Sequence, residues 1–148
     1  MDKDAYLEIN ASQRPALALF DAMGYTYISP ADCDKQRGSR YHVLLRDILR
    51  GQLRRLNRYV YAGAENEFSA ANIERAMEDL DEPLTDGLVR TSEKIYDALL
   101  LGKSYPETVG DGKMLSFNLK YIDWDNPQNN VFHVTEEFAV DSRDRQHN

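Results

Sequence analysis

Apolar residues recur at helical spacing through the first two thirds of the 148-residue chain and alternate with polar ones through the last third. The spacing predicts a first helix over 12–23. Ser12 can cap it, and Pro15 falls in the first turn, where a missing N–H costs little. Leu17, Phe20 and Met23 share one stripe, and Gly24 terminates it. Residues 25–28 read as a short strand ended by Ser29-Pro30, and 31–40 as a polar connection. A second helix is expected over about 41–57, with Leu44, Leu45, Ile48, Leu49, Leu53 and Leu56 on its apolar face. Gly51 inside it costs roughly 1 kcal/mol relative to Ala. Residues 58–61 leave the helix and 62–68 read as loop.

Ser69 can cap a third helix carrying Ile73, Ala76, Met77 and Leu80, and Pro83 closes it. A fourth helix covers 91–101, with Ile95, Ala98 and Leu99 inward and Gly102 past its end. The period then changes. Thr108-Val109 leads into Gly110-Asp111-Gly112, a tight-turn signal. Along 114–122, Leu115, Phe117, Leu119 and Tyr121 share a face opposite Ser116, Asn118 and Lys120. After a turn-rich connection over 123–130, residues 131–140 alternate again through Phe132, Val134, Phe138 and Val140. Helices followed by adjacent antiparallel strands define an α+β domain. The last strand is apolar on one face, and an internal strand needs partners on both sides. The expectation is therefore a sheet that continues beyond this chain, with 141–148 as a frayed polar tail.

Composition agrees with one folded domain. Apolar residues make up 42% and charged residues 29%, and five Phe, nine Tyr and one Trp supply bulk for a core. The single cysteine, Cys33, excludes an internal disulfide. No apolar run reaches membrane-spanning length: Ala98-Leu99-Leu100-Leu101 stops at Gly102. Met1-Asp2-Lys3-Asp4 lacks the basic start of a signal peptide, so a cytoplasmic protein is expected.

Several chemistries are excluded by spacing. Cys33, His42, His133 and His147 form no zinc-ligand pairs. Gly110-Asp111-Gly112 lacks a following Lys-Ser/Thr and precedes a strand, unlike a phosphate-cradling loop. No Gly-x-Ser-x-Gly nucleophile elbow occurs. Charge is more informative. The chain carries −7 overall, yet 35–58 holds eight basic residues against Asp47 alone, so that segment is +7 and the remainder −14. Arg46, Arg50, Arg54 and Arg58 recur every fourth residue along one helix ridge. Such a ridge can track phosphates, or it can be a solvated face paired with the acidic remainder. Glu136 interrupts an apolar strand face, as a functional acid or through a bulge at Glu136-Glu137. Glu8 precedes the first helix, where an exposed polar role is the default.

The segment Leu119-Lys120-Tyr121-Ile122-Asp123-Trp124-Asp125-Asn126-Pro127-Gln128-Asn129-Asn130-Val131-Phe132 resembles part of the amino-terminal region of the R (restriction and translocation) subunit of type I restriction enzymes. There an Ile-Asp, an acidic Asn-Pro and an Asn-Asn precede the strand leading into the nuclease site. Residues 132–140 continue the likeness. It is supported by Ala22-Met23-Gly24-Tyr25-Thr26-Tyr27-Ile28, Arg46-Asp47-Ile48-Leu49 and Ala71-Asn72-Ile73-Glu74-Arg75-Ala76.

The resemblance implies a restriction-endonuclease-like sheet of the PD-(D/E)xK class, followed in the whole subunit by an ATP-driven translocase. It implies partners, namely double-stranded DNA and the modification and specificity subunits. It implies Mg²⁺ held by an Asp and a Glu on neighbouring strands, and ATP for the motor. In that family the polar link is followed by Arg-Pro-Asp and then Glu-x-Lys, whereas this chain ends at Arg145-Gln146-His147-Asn148. The expectation is an incomplete nuclease domain over 1–148 that is inactive alone, binds neither cofactor and holds no metal. Glu8 is the one residue to which the resemblance lends a catalytic role, because such nucleases often place an acid near the first helix. The ridge of Arg46, Arg50, Arg54 and Arg58 is the candidate DNA contact. The rival expectation is a stand-alone protein-interaction module that never touches DNA.

Overall fold

The computed structural model describes residues 9–81 and 83–141. They form an α+β fold of α-helices and three separate two-stranded ladders, divided into two compact units. One unit combines the described residues up to Leu45 with those from Val131 onward. The other is Arg46–Asn130.

In the first unit, a π-helical turn at Ile9–Gln13 leads into α1, Arg14–Ala22. The N-cap position is Gln13, one residue past the expected Ser12, and Pro15 lies in the first turn as predicted. Gly24 adopts φ +89°, a conformation that L side chains resist, and it turns the chain into β1, Thr26–Tyr27. The stretch expected as a polar connection is instead helix α2, Pro30–Arg37. Ser29 caps it by accepting from the Asp32 N–H at 3.1 Å, and Gly38 ends it at φ +72°. Its buried Arg37 pairs with Asp34 at 2.6 Å and lies 4.1 Å above the Phe138 ring. Cys33 is buried beside it in α2.

The expected strand over 131–140 is reduced to β6, His133–Val134, which pairs in parallel with β1, Thr26 opposite His133. It does not pair with the 114–122 strand. Alternation in the sequence overstates its length because Glu137 sits at φ +48° and breaks the extended backbone. The neighbouring Glu136 accepts from the Tyr27 hydroxyl at 3.0 Å. Phe20 meets Tyr25 edge to face and Tyr25 meets Phe132 at a tilt beside the short ladder, with centroids 5.0 and 5.3 Å apart.

The second unit opens with α3, Arg46–Leu56, shorter than the expected 41–57 helix because 42–45 are not helical. The expected loop over 62–68 is largely a strand. β2, Arg58–Tyr61, and β3, Ala64–Glu67, form an antiparallel hairpin through Ala62 and Gly63, both at positive φ. α4, Ala70–Leu80, is capped by Ser69 as predicted. α5, Leu88–Leu101, starts ahead of the expected residue 91, with Gly87 at its amino end. β4, Lys103–Thr108, then pairs antiparallel with β5, Met114–Leu119, Tyr105 opposite Phe117. β5 ends before the expected residue 122. Leu53, Ile73, Ala76, Met77, Ala98, Tyr105, Leu119 and Tyr121 build the core between the helices and this hairpin.

Of the expected tail, 142–148 lie outside the described residues. Among the described residues no helix is long and apolar enough to cross a membrane.

Candidate nucleic-acid interface

Helix α3 carries the arginine ridge, and the structure places its members in unequal surroundings. Arg46 reaches Asp81 at 3.3 Å. Arg50 grips Glu74 through both oxygens, at 2.5 and 3.4 Å, and also meets Asp47 at 3.0 Å. This hydrogen bond from Arg50 holds the Glu74 carboxyl below the usual carboxylate range. Both pairs tie α3 to α4 and its end. Arg58 lies 3.2 Å from Glu67 across the adjoining hairpin. Arg54 is exposed and makes no ion pair with the described residues. Arg55, also exposed, was not on the every-fourth-residue ridge; its guanidinium donates to the Asn129 carbonyl.

The carboxyl end of α3 is closed off electrically. A helix leaves its last carbonyls unpaired and partly negative there. Asn57 donates to Leu53 O at 2.9 Å, while Arg58 donates to the carbonyls of Arg54 and Asn57. Asn57 also joins the helix end to the chain leaving β5. Its amide donates to Lys120 O at 2.8 Å, and its Oδ1 accepts from the Lys120 N–H at 2.9 Å.

Beyond Lys120, the segment with the most specific sequence likeness folds into a knot around Asp123, which is only 3% exposed. Oδ1 accepts from the Asn126 N–H at 3.0 Å. Oδ2 accepts from Asn129 Nδ2 at 3.0 Å and Lys120 Nζ at 3.2 Å. The Asp123 N–H donates to Asn130 Oδ1, and Asn130 Nδ2 donates back to Asp123 O, both at 2.9 Å. The short Pro127–Asn129 helical turn completes the loop. With these donors, Asn129 first among them, the Asp123 carboxyl is held down to about 2. The knot fixes Asn129, whose carbonyl receives Gln52 at 2.9 Å together with Arg55. Arg55, Leu56, Lys120, Asp123, Gln128 and Asn129 line a polar cavity of about 360 Å³ at this junction.

Sequence reasoning took 123–130 as a connection and missed Asp123 as its organiser. The signal was present in the Asp, Asn and Pro residues that satisfy their own backbone in turns. Glu8, the candidate catalytic acid, lies outside the described residues. Among the described residues no group of three or more His, Cys, Asp or Glu side chains could hold a metal ion, so these residues do not fit the magnesium that the resemblance implies. Gly110–Gly112 joins two antiparallel strands instead of opening a helix, unlike a phosphate-cradling loop.

A family model described as "Type I restriction enzyme R protein N terminus" matches residues 5–148. No curated protein and no solved structure matches the chain.

Proposed function

The chain belongs to the family of type I restriction enzyme R protein N termini, and from that membership we propose that residues 1–148 are an amino-terminal part of an R-subunit nuclease domain. The match over nearly the whole chain carries this reading. The whole subunit acts, in this proposal, on double-stranded DNA in the cytoplasm, together with modification and specificity subunits. Magnesium and ATP belong to other parts of that subunit, and Glu8 is a proposed accessory acid of its nuclease site.

We assign this piece a DNA-contacting role through α3. Over 46–58, Arg46, Arg50, Arg54, Arg55 and Arg58 stand against Asp47 alone, a net +4 within a chain of −7, which concentrates positive charge on this stretch. Arg54 has the strongest support as a phosphate contact, since it is exposed and makes no ion pair with the described residues. Arg58 follows, because Glu67, its carboxylate partner among the described residues, is exposed and yields readily to a phosphate. Arg46 and Arg50 contribute charge at the ridge while remaining tied to α4.

Salt-dependent DNA binding by the full chain tests the assignment. Each phosphate contact contributes a slope of roughly −0.9 in log K against log salt for duplex DNA. Replacing Arg54 and Arg58 by Ala is expected to flatten the slope by about two such contacts. An unchanged slope rejects the ridge as a DNA contact. With plasmid and Mg²⁺ the chain alone is expected to leave the DNA intact; robust cutting abolished by substitutions within residues 1–148 rejects the reading that this piece is inactive alone. The carboxylate partners of Arg46, Arg50 and Arg58 favour the rival reading, a protein-interaction module, and that rival predicts no salt-dependent DNA binding at all.

A further inference from the structure

We infer that the cavity between the end of α3 and the Asp123 knot is a seat for one backbone phosphate of duplex DNA, with Arg55, Lys120 and Gln128 as its donors. The inference rests on the DNA-contacting reading and extends it to a site off the arginine ridge.

Three observations carry it. The cavity is polar and holds two cations, Arg55 and Lys120, against one carboxylate, Asp123. That carboxylate is committed inward, with its oxygens already accepting from Asn126, Asn129 and Lys120. It neutralises one cation and leaves the other in excess. The negative pole of α3, which would repel an anion here, is covered by Asn57 and Arg58.

The donors are also preorganised. Lys120 is fixed at its backbone by Asn57 and at its ammonium by Asp123. Arg55 is held by Asn129 O through one of its terminal nitrogens, so the rest of its fork remains available for a phosphodiester oxygen. Gln128, exposed on the Pro127–Asn129 turn, supplies an uncharged amide. Asp123 is a positioning residue in this scheme: it holds Lys120 directly and Arg55 through Asn129, and does not contact the phosphate. Arg55 follows Arg54 directly in α3, so the seat continues the exposed basic end of the helix.

The test uses the full chain with two probes, inorganic phosphate and a short DNA duplex. Phosphate titration followed by amide chemical shifts is expected to move residues 55, 120, 128 and 129 together and to saturate. Arg55→Ala is expected to weaken this titration about tenfold, the worth of a charge-assisted hydrogen bond. Gln128→Ala, at an exposed side chain whose loss leaves the knot intact, is expected to weaken it severalfold and guards against misfolding of the Arg55 variant. In the DNA arm, Arg55→Ala is expected to lower the salt slope by about one contact, additively with Arg54→Ala.

If Arg54→Ala lowers the slope and Arg55→Ala does not, the seat is overturned and the ridge survives. If neither lowers it, the DNA-contacting reading falls as well. Loss of phosphate binding in Arg55→Ala without a change in the DNA slope means a free-anion site only, and also overturns the proposal. So does a lowered DNA slope with an unaltered phosphate titration.

Discussion

Asn57 is the point where the basic helix is fastened to the knot, and its removal gives a measurable test of that geometry. The side chain is buried and makes three hydrogen bonds, to Leu53 O, Lys120 O and the Lys120 N–H. Asn57→Ala leaves all three backbone groups without this partner. A buried unsatisfied group costs about 1–3 kcal/mol. Lys120 is half-buried, so water can reach part of the gap, and the low end applies, near 3 kcal/mol in total. Against a typical domain stability of about 5–15 kcal/mol this is a large share. It corresponds to a fall in Tm of roughly 6–12 °C for a chain of this size.

Asn57→Asp separates hydrogen bonding from packing. The carboxylate keeps an acceptor for the Lys120 N–H but faces two carbonyls without a donor. It should therefore be at least as destabilising as Ala at neutral pH, and recover relative to wild type as acid protonates it and restores an O–H. Urea unfolding of the three proteins at pH 7 and pH 4.5, monitored by fluorescence and circular dichroism, reads both effects. A loss below about 1 kcal/mol in Asn57→Ala, or parallel pH behaviour of the Ala and Asp variants, would refute the proposed fastening.

Other outcomes follow from single residues. Leu53, fully buried at the centre of the α3 face, should lose about 2–5 kcal/mol as Leu53→Ala by denaturant unfolding. Gly102→Ala should be severely destabilising, by more than about 1–2 kcal/mol, because φ is +74° and the added Cβ would sit 2.3 Å from Leu119 O. Ala62→Gly should raise stability by up to about 1 kcal/mol, since Ala62 is held at φ +50° in a two-residue hairpin turn. Asp123, held down to about 2, contributes stability that is complete above the usual aspartate range near 3.8 and is lost as pH falls from there toward 2. Asp123→Asn should flatten the Tm profile across that window, read by calorimetry between pH 5 and pH 2.

The helices of the second unit were legible because each combines a periodic apolar face with a local stop or start. Ile73, Ala76 and Met77 are all buried as the spacing required, and Ser69 caps their helix. α2 was illegible for the opposite reason. Its sequence PADCDKQR has one buried apolar residue, Cys33, and is held by Ser29 at one end, Gly38 at the other and a buried Arg37. The β2–β3 hairpin lacked its usual signal because Ala62, not Asn or Asp, takes the first positive-φ position. β4 was hidden by Pro106, which usually argues against a strand, although Tyr105 and Glu107 both turn inward. The reverse error came from the alternation over 131–140, which continues across Glu137 although the backbone does not. The parallel pairing of Thr26–Tyr27 with His133–Val134 joins distant parts of the chain, and no local pattern encodes it.

The candidate interface shows the same division. The every-fourth-residue arginines were visible from spacing, but spacing assigns them equal roles, and their partners do not. Bidentate capture of Arg50 by Glu74 makes it a tie between helices, whereas Arg54 and Arg55 face outward. What distinguishes them is which helix face meets α4, a tertiary fact. Asp123 makes the complementary point. An Asp in the segment most like a nuclease family invites a metal-binding role, yet its oxygens are spent on Asn126, Asn129 and Lys120. To bind a cation it would have to break the bonds that hold the turn. Its negative charge instead fixes Lys120 and, through Asn129, the guanidinium of Arg55, so a buried acid sets the geometry of an exposed basic surface.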